Sequence, residues 1–166
     1  MNRNSYPTDL TDGQWNTIAP LLPSASPTGR PRVLPLREIP DAILCIVRAG
    51  CAWRLLPHDF PAWQSICYYF RKWKKDGTWQ HIRDSLFRET RVRAGKEPEP
   101  SVGIIDTQSV RITDRGGEHG YDGGKKADGR KRHILTDTLG LIITVIVHSA
   151  GIQDRDGAKL LLPGIY

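Results

Sequence analysis

Residues 131–148, KRHILTDTLGLIITVIVH, carry the pattern that decides the fold of the second half of the chain. The segment 141–148 is rich in β-branched residues, which predicts a strand, and a shorter strand is predicted over 131–137. The tight D-T-L-G connection between them predicts a hairpin. Another strand is predicted upstream over 102–112, and a helix downstream, with Asp154 near its start and Pro163 interrupting it. The second half is therefore expected to run strand, strand, strand, helix.

The segment 113–130, TDRGGEHGYDGGKKADGR, is rich in glycine and carries both signs of charge, which predicts a flexible loop. A basic strip begins in this segment and enters the next strand. The strip comprises Lys125, Lys126, Arg130, Lys131, Arg132 and His133. We interpret it as a phosphate-contacting strip, with a merely solvated loop as the alternative. His133 could act as a base, but its place at a strand start in a basic run favours phosphate contact or a structural role.

The first half is predicted to be helical. T-D-G-Q, starting at Thr11, is typical of a capping box that opens a helix. A second apolar stripe over 36–47 is expected to end near Gly50, because glycine favours helix C-termini. A third helix follows Pro61, and Asp76 and Gly77 predict its end before a fourth amphipathic stretch. The residues of the third helix that recur at core-facing spacing are Trp63, Ile66, Phe70 and Trp73.

The opposite face of that third helix is polar and basic. It carries Gln64, Tyr68, Arg71, Lys72 and Lys75. The surrounding segment 61–96 holds nine lysines and arginines against three acids, which accounts for the whole net charge of +6. DNA is the commonest partner of such a surface, and two successive helices separated by a short turn, the second bearing polar and basic residues outward, are typical of a helix-turn-helix. The alternative is a solvated basic face on an ordinary helical bundle.

Composition indicates a globular protein, with 39% hydrophobic and 25% charged residues. The three cysteines form no C-x-x-C pair, so the sequence supports neither a disulfide framework nor a zinc site and fits a reduced cytosolic setting. No signal-peptide core is present, and no apolar run approaches the ~18 residues of a membrane span, so we expect a soluble protein. The segment 88–100, RETRVRAGKEPEP, is the predicted boundary between domains at 1–96 and 101–166.

Asp106 follows the apolar residues of the first predicted strand, within SVGIIDTQSV at 101–110, and is expected to be an acid at the end of a core strand. Phosphodiester chemistry can use two divalent ions roughly 3.5–4 Å apart, and Mg²⁺ prefers carboxylate oxygens. Asp106 is therefore a candidate catalytic residue and magnesium ligand. The alternative is an ordinary aspartate at the end of a strand.

Two segments of the chain resemble a known family. LREIPDAILCIVRAGCAWRLLPHDFPAWQSICYYFRKW and IIDTQSVRITDRGGEHGYDGGKKADGRKRHILTDTLGLIITVIVHSAGIQDRDGA together resemble bacterial insertion-sequence transposases of the DDE class, in the fifth insertion-sequence family, over residues 10–162. The resemblance implies an α+β chain: an all-α helix-turn-helix domain that binds the terminal inverted repeats of its element in double-stranded DNA, then a ribonuclease H-like core. It also implies that Asp106 is the first catalytic acid and that the complete enzyme uses Mg²⁺.

The chain departs from this family where the remaining acids are expected. The family places its second acid on a fourth strand and a glutamate on a later helix, and Tyr166 precedes both. Asp137, Asp154 and Asp156 are expected to serve in a turn or at a helix start instead. We therefore expect an incomplete ribonuclease H-like core without strand transfer of its own.

Several roles remain open for such a chain. It is expected to act in transposition as the DNA-binding part of a transposase in the bacterial cytoplasm, associated with the nucleoid. The alternatives are a non-catalytic repressor or competitor that binds the element ends, and an inactive relic. Its partner could also be a second copy of itself or a second-frame product, because such elements can encode the enzyme in two overlapping frames.

Overall fold

The structure, a computed structural model, describes residues 3–24, 33–111 and 118–161. Its helices are α1 (Asp12–Ile18), α2 (Glu38–Ala49), α3 (Trp63–Lys75), α4 (Thr78–Arg93) and α5 (Asp154–Lys159), and its strands are β1 (Ile104–Arg111), β2 (Gly120–Asp122), β3 (Ala127–Thr136) and β4 (Ile142–Ser149). The chain divides into two compact units, Met1–Leu86 and Phe87–Tyr166. The α+β class is confirmed, with helices in the first half and an antiparallel sheet in the second.

Local signals in the sequence set the ends of the helices in the first unit. Thr11 caps α1, and its side chain and that of Gln14 form both hydrogen bonds of the predicted capping box. Gly50 ends α2 with a φ of 63°, a left-handed conformation that glycine adopts without a steric penalty. Between α3 and α4, Asp76 accepts hydrogen bonds from the backbone N–H and the hydroxyl of Thr78. These boundaries confirm the predicted helices.

The core of the first unit is aromatic and aliphatic. The predicted stripe of α3 lies in it: Ile66 and Trp73 are almost fully buried, and Trp63 and Phe70 pack against the cluster. The indole N–H of Trp79 donates to the carbonyl oxygen of Phe70 at 3.1 Å, which ties α4 to α3. Burial of one stripe of α3 fixes which of its residues face outward.

The connection between α2 and α3 differs from a short helix-turn-helix turn. Residues 50–62 separate the two helices and include a 3-10 turn at Trp53–Leu55. A helix-turn-helix joins its helices by three or four residues. The expectation of a short turn was therefore wrong, because Leu56 and Phe60 of this connection are themselves buried in the core.

In the second unit β3 is the central strand of an antiparallel sheet. It pairs along one side with β1 and along the other with β4 and β2. Gly129 is paired on both sides, with Arg111 and with Gly120, and a Cβ there would collide with the carbonyl oxygen of Val110. The predicted hairpin between β3 and β4 is confirmed. It turns at Gly140, which has a φ of 78°.

The segment predicted as a loop over 113–130 contains more structure than expected. Residues 120–122 form β2, and β3 starts at Ala127 rather than near Lys131. The small residues Ala127 and Gly129 are buried, so the pairing of β3 with its neighbours extends into the glycine-rich stretch. Residues 112–117 of the predicted strand and loop, and Pro163, lie outside the described residues.

None of the helices in the described ranges combines the length and the apolar character that crossing a bilayer requires.

Candidate nucleic-acid interface and metal-ligand site

The outer face of α3 presents the five residues that the sequence singled out there. Gln64, Tyr68, Arg71, Lys72 and Lys75 are all exposed. Together with Trp63 and Cys67 they line one groove of about 640 Å³ along the helix. Their shared face follows from the helical repeat, since burial of Ile66 and Trp73 turns this set of positions toward solvent. The structure therefore brings these five residues together on one surface.

The cations of this groove are available to a partner. Among the described residues, Arg71, Lys72 and Lys75 form no salt bridge, whereas Arg83 pairs with Asp84 and Arg93 with Glu89. An unpaired exposed cation can contact a phosphate without first breaking an ion pair. The groove thus combines an apolar floor with three cations that form no salt bridge with a described residue, one of which, Lys72, lies near enough to Asp76 to help lower the pKa of that carboxyl group.

Asp106 lies on β1 at a different position from the one expected. It is the third of eight residues in β1, and its neighbours Ile104 and Ile105 are 53% and 47% exposed. The expectation of an acid at the end of a buried strand was therefore wrong. Among the described residues β1 pairs only with β3, and its apolar side chains Ile104, Ile105 and Val110 are all exposed.

The surroundings of Asp106 contain few other oxygen ligands. Asp106 pairs in register with Ile134, and Gln108 and Arg132 lie on the same face of the sheet, hydrogen-bonded to each other. Within the described ranges no group of three or more His, Cys, Asp or Glu residues could hold a metal ion. Asp106 is therefore an exposed carboxylate that belongs to no such group in the described residues.

The opposite face of the sheet holds a buried polar network centred on Lys131. Its ammonium group lies 2.7 Å from Asp154 Oδ1 and 3.2 Å from Asp122 Oδ2, and it donates to the carbonyl oxygen of Ile152. Burial alone lowers the pKa of Lys131, but its two carboxylate partners raise the pKa overall. Asp122 also accepts from Ser109 Oγ at 2.7 Å, which is the largest reason why its pKa is lowered.

This network changes the role expected of Lys131 within the basic strip. The residue is only 4% exposed, and both of its carboxylate partners are held by the fold. A lysine so enclosed cannot reach a phosphate without breaking its ion pairs with both carboxylates. We therefore leave Lys131 out of the candidate DNA-contacting set.

The other members of the strip are spread over two faces. Lys125 donates to the carbonyl oxygen of Thr107 at 2.9 Å, and Arg130 to that of Glu118 at 3.1 Å. Lys126 and Arg132 are exposed, and Arg132 contacts Gln108 on the Asp106 face. The strip is therefore not one continuous surface, because successive residues of β3 alternate between the two faces.

His133 and His148 form a buried stack that the sequence did not reveal as a pair. Their ring centroids are 4.9 Å apart, and His133 is fully buried. The Nδ1 atom of each ring forms a hydrogen bond. His133 Nδ1 bonds with Thr107 Oγ1 at 2.9 Å, and His148 Nδ1 donates to the carbonyl oxygen of Ser149 at 2.7 Å. Both Nε2 atoms are buried without a partner among the described residues and point at Gly157 of α5. This arrangement makes a structural role for His133 the best supported one.

The three acids weighed as replacement ligands have other partners. Asp137 is fully buried, pairs with Arg91 and accepts the backbone N–H groups of Leu139 and Leu141. Burial raises its pKa, but these hydrogen bonds lower it overall. Asp154 pairs with Lys131, and Asp156 with Lys159. All three acids are thus engaged within the second unit.

The sequence analysis did not single out four residues of the Lys131 network and the histidine stack, namely Asp122, Ser109, Thr107 and His148. The sequence carries no alternating signal for them, because residues 106–109 (DTQS) and 130–133 (RKRH) are polar throughout. Only the register of β1 and β3 shows which of these positions share a face of the sheet.

Comparison with known proteins assigns both halves of the chain. The model of the IS4/5 transposase family (DUF4096) matches residues 10–83, and the model of the transposase DDE domain matches residues 97–165. No curated protein and no solved structure gave a match. The first match contains α3 with its basic groove, and the second contains Asp106 and the whole sheet. The chain therefore belongs to the IS4/5 family of DDE transposases.

Proposed function

We propose that this chain acts in transposition by binding double-stranded DNA, at the terminal inverted repeats of its element, through the outer face of α3. The observation that carries the proposal is the groove of about 640 Å³ lined by Gln64, Tyr68 and the cations Arg71, Lys72 and Lys75. In this proposal α2 and α3 form a helix-turn-helix variant with a long connection, and α3 is the recognition helix. The protein works in the bacterial cytoplasm, on the nucleoid.

The charge distribution supports DNA rather than a general solvated face. On α4, Arg83 and Arg93 form salt bridges with adjacent acids, whereas the cations of the α3 groove form none with any residue that the structure describes. Phosphate contacts of this kind make affinity fall steeply with salt, by a slope of about 0.9 in log K per phosphate neutralised. The proposal therefore makes a quantitative statement about salt dependence.

Binding of the full chain to a duplex carrying an element end tests this proposal. Lys75→Ala or Arg71→Ala should weaken binding and reduce the salt slope by about one unit each. Lys74→Ala is the matched control, because Lys74 is exposed on the same helix but does not line the groove. Equal losses in all three variants, or no salt-dependent binding by the unmodified chain, would contradict the proposal.

Metal-dependent cleavage by a ribonuclease H-like core is a second candidate, favoured by the exposure of Asp106 and its lack of a salt bridge among the described residues. Its carboxylate suits Mg²⁺, which takes oxygen ligands. The described residues supply one such carboxylate and no cluster, so they do not by themselves make up a magnesium site. We therefore assign no cleavage step to this chain.

A cleavage assay separates this candidate from a repressor or competitor that only binds. Cleavage requires turnover of end DNA in Mg²⁺ that Asp106→Asn abolishes, whereas a binding module shows no turnover and binds equally well with Asp106→Asn. Cleavage that survived Asp106→Asn would rule out Asp106 as its metal ligand.

A further inference from the structure

The groove of α3 has two chemically different halves. Its N-terminal half holds one amide, Gln64, beside the rings of Trp63 and Tyr68. Its cations, Arg71, Lys72 and Lys75, all lie in the C-terminal half. Cations that contact phosphates set affinity and register, whereas sequence is read at base edges by side chains that include amides and apolar groups. We call the N-terminal half of the groove the reading half, because its side chains suit contacts with bases, and the C-terminal half the holding half, because its cations suit contacts with phosphates.

The reading half is preorganised. Tyr68 is 60% exposed, yet its ring contacts the ring of Tyr69 edge-on at 5.4 Å, and Tyr69 contacts the buried Trp73 at 5.8 Å. The Tyr68 ring is thus braced from the core while its outer surface stays open. An apolar surface held open in this way favours an apolar group on the partner.

The spacing of these residues matches successive base pairs. Gln64 and Tyr68 are four residues apart on one face of α3, which is ~6 Å along the helix axis. Base pairs rise by ~3.4 Å, so the two side chains reach pairs one or two steps apart. Residues near the start of a recognition helix are those that reach base edges.

The major groove offers one apolar group, the C5 methyl of thymine, and the amide of glutamine pairs in bidentate fashion with N6 and N7 of adenine. We propose that the first two turns of α3 select an A·T-containing step, with Gln64 on an adenine and the rings of Tyr68 and Trp63 against a neighbouring thymine methyl. This inference rests on the proposed DNA binding and deepens it, by naming the bases that the helix reads.

Base analogues test the inference with the full chain. A site selected from random duplexes is first used to measure affinity, and each thymine in it is then replaced by uracil, which removes only the methyl group. One replacement should weaken binding several-fold, roughly as a single apolar base contact does. Tyr68→Ala should bind the thymine and uracil duplexes equally. Replacing an adenine of the site by 7-deaza-adenine should weaken the unmodified chain but not Gln64→Ala.

The outcomes distinguish the inference from the function it rests on. Lys75→Ala is the control, since it should weaken binding to all duplexes yet keep the preference for thymine over uracil. If the chain binds no duplex in a salt-dependent way, the proposed function fails, and the inference with it. If it binds but no uracil replacement matters, or if Tyr68→Ala keeps the thymine preference, the inference is overturned while DNA binding stands. Melting temperatures of Gln64→Ala and Tyr68→Ala should match that of the unmodified chain, because both side chains are exposed.

Discussion

At the scale of single residues, Gly157 lies where an added methyl group has no room. A Cβ there would sit 2.5 Å from Nε2 of His148 and closer still to Nε2 of His133. Both rings are held by hydrogen bonds through Nδ1, so they cannot move aside without losing them. The glycine is required by close approach rather than by its backbone conformation.

Gly157→Ala should therefore destabilise the second unit by about 1–3 kcal/mol, the usual cost of overpacking. Gly123→Ala is the control, because nothing lies within 4 Å of its Cβ position. Urea unfolding of the two variants checks the prediction. A Gly157→Ala chain as stable as the Gly123→Ala chain would show that the histidine stack does not enclose α5.

The same stack predicts a pH dependence. Burial lowers the pKa of His133, and His148 lowers it further, while Asp154 opposes and Lys131 and Lys125 assist. The folded state thus favours the neutral ring. As the pH falls below the ordinary value of 6.5, the unfolded chain takes up a proton that the folded chain refuses, so the free energy of unfolding decreases.

The expected loss is at most about 1.4 kcal/mol per pH unit for this one group, until the pH reaches the folded pKa. Urea unfolding between pH 7.5 and 5 measures it. His133→Gln should flatten the slope in that range, whereas His81→Gln, at an exposed position of α4, should not. An unchanged slope in His133→Gln would contradict the assignment.

At the scale of elements, the turn between β3 and β4 is tied to the end of α4. Asp137 accepts from Leu139 and Leu141 in its own turn and pairs with Arg91, which also donates to the carbonyl oxygen of Glu97 at 2.8 Å. Both charged side chains are buried, so each depends on the other for compensation.

Asp137→Ala should therefore cost about 3–5 kcal/mol, since it leaves a buried arginine without its partner. Asp128→Ala serves as a control because Asp128 is exposed on β3, the strand that leads into this turn. Chemical denaturation followed by circular dichroism gives both values. A loss below about 1 kcal/mol at Asp137 would mean that Arg91 finds another partner.

The sequence predicted helices and strands more accurately than it predicted strand pairing and the burial of individual side chains. Helix caps, the apolar stripe of α3 and the β3–β4 hairpin depend on local patterns, and all were confirmed. β2 was missed because its three residues lie in a glycine-rich segment that carries no strand signal until β3 pairs with it. Burial of Lys131 and His133 was missed for the same reason: a basic run indicates solvent unless partners from distant positions are known.

At the scale of the whole molecule, the two units hold different candidate sites. The first unit holds the α3 groove, which sequence periodicity located correctly because every groove residue belongs to one helix. The second unit holds Asp106. Its place on a strand was predicted from the sequence, but the exposure of its side chain was not. A site on one helix can be read from spacing, whereas a site built from several strands depends on their register.

The central claim is that one face of α3 binds DNA, and lysine-modification footprinting tests it most directly. The full chain is acetylated with and without a duplex carrying an element end, and each lysine is quantified by mass spectrometry. Lys72 and Lys75, which line the groove, should be protected by the duplex, and Lys74, exposed on the same helix outside the groove, should stay reactive. Equal reactivity of Lys72, Lys74 and Lys75 in the DNA-bound chain would contradict the claim.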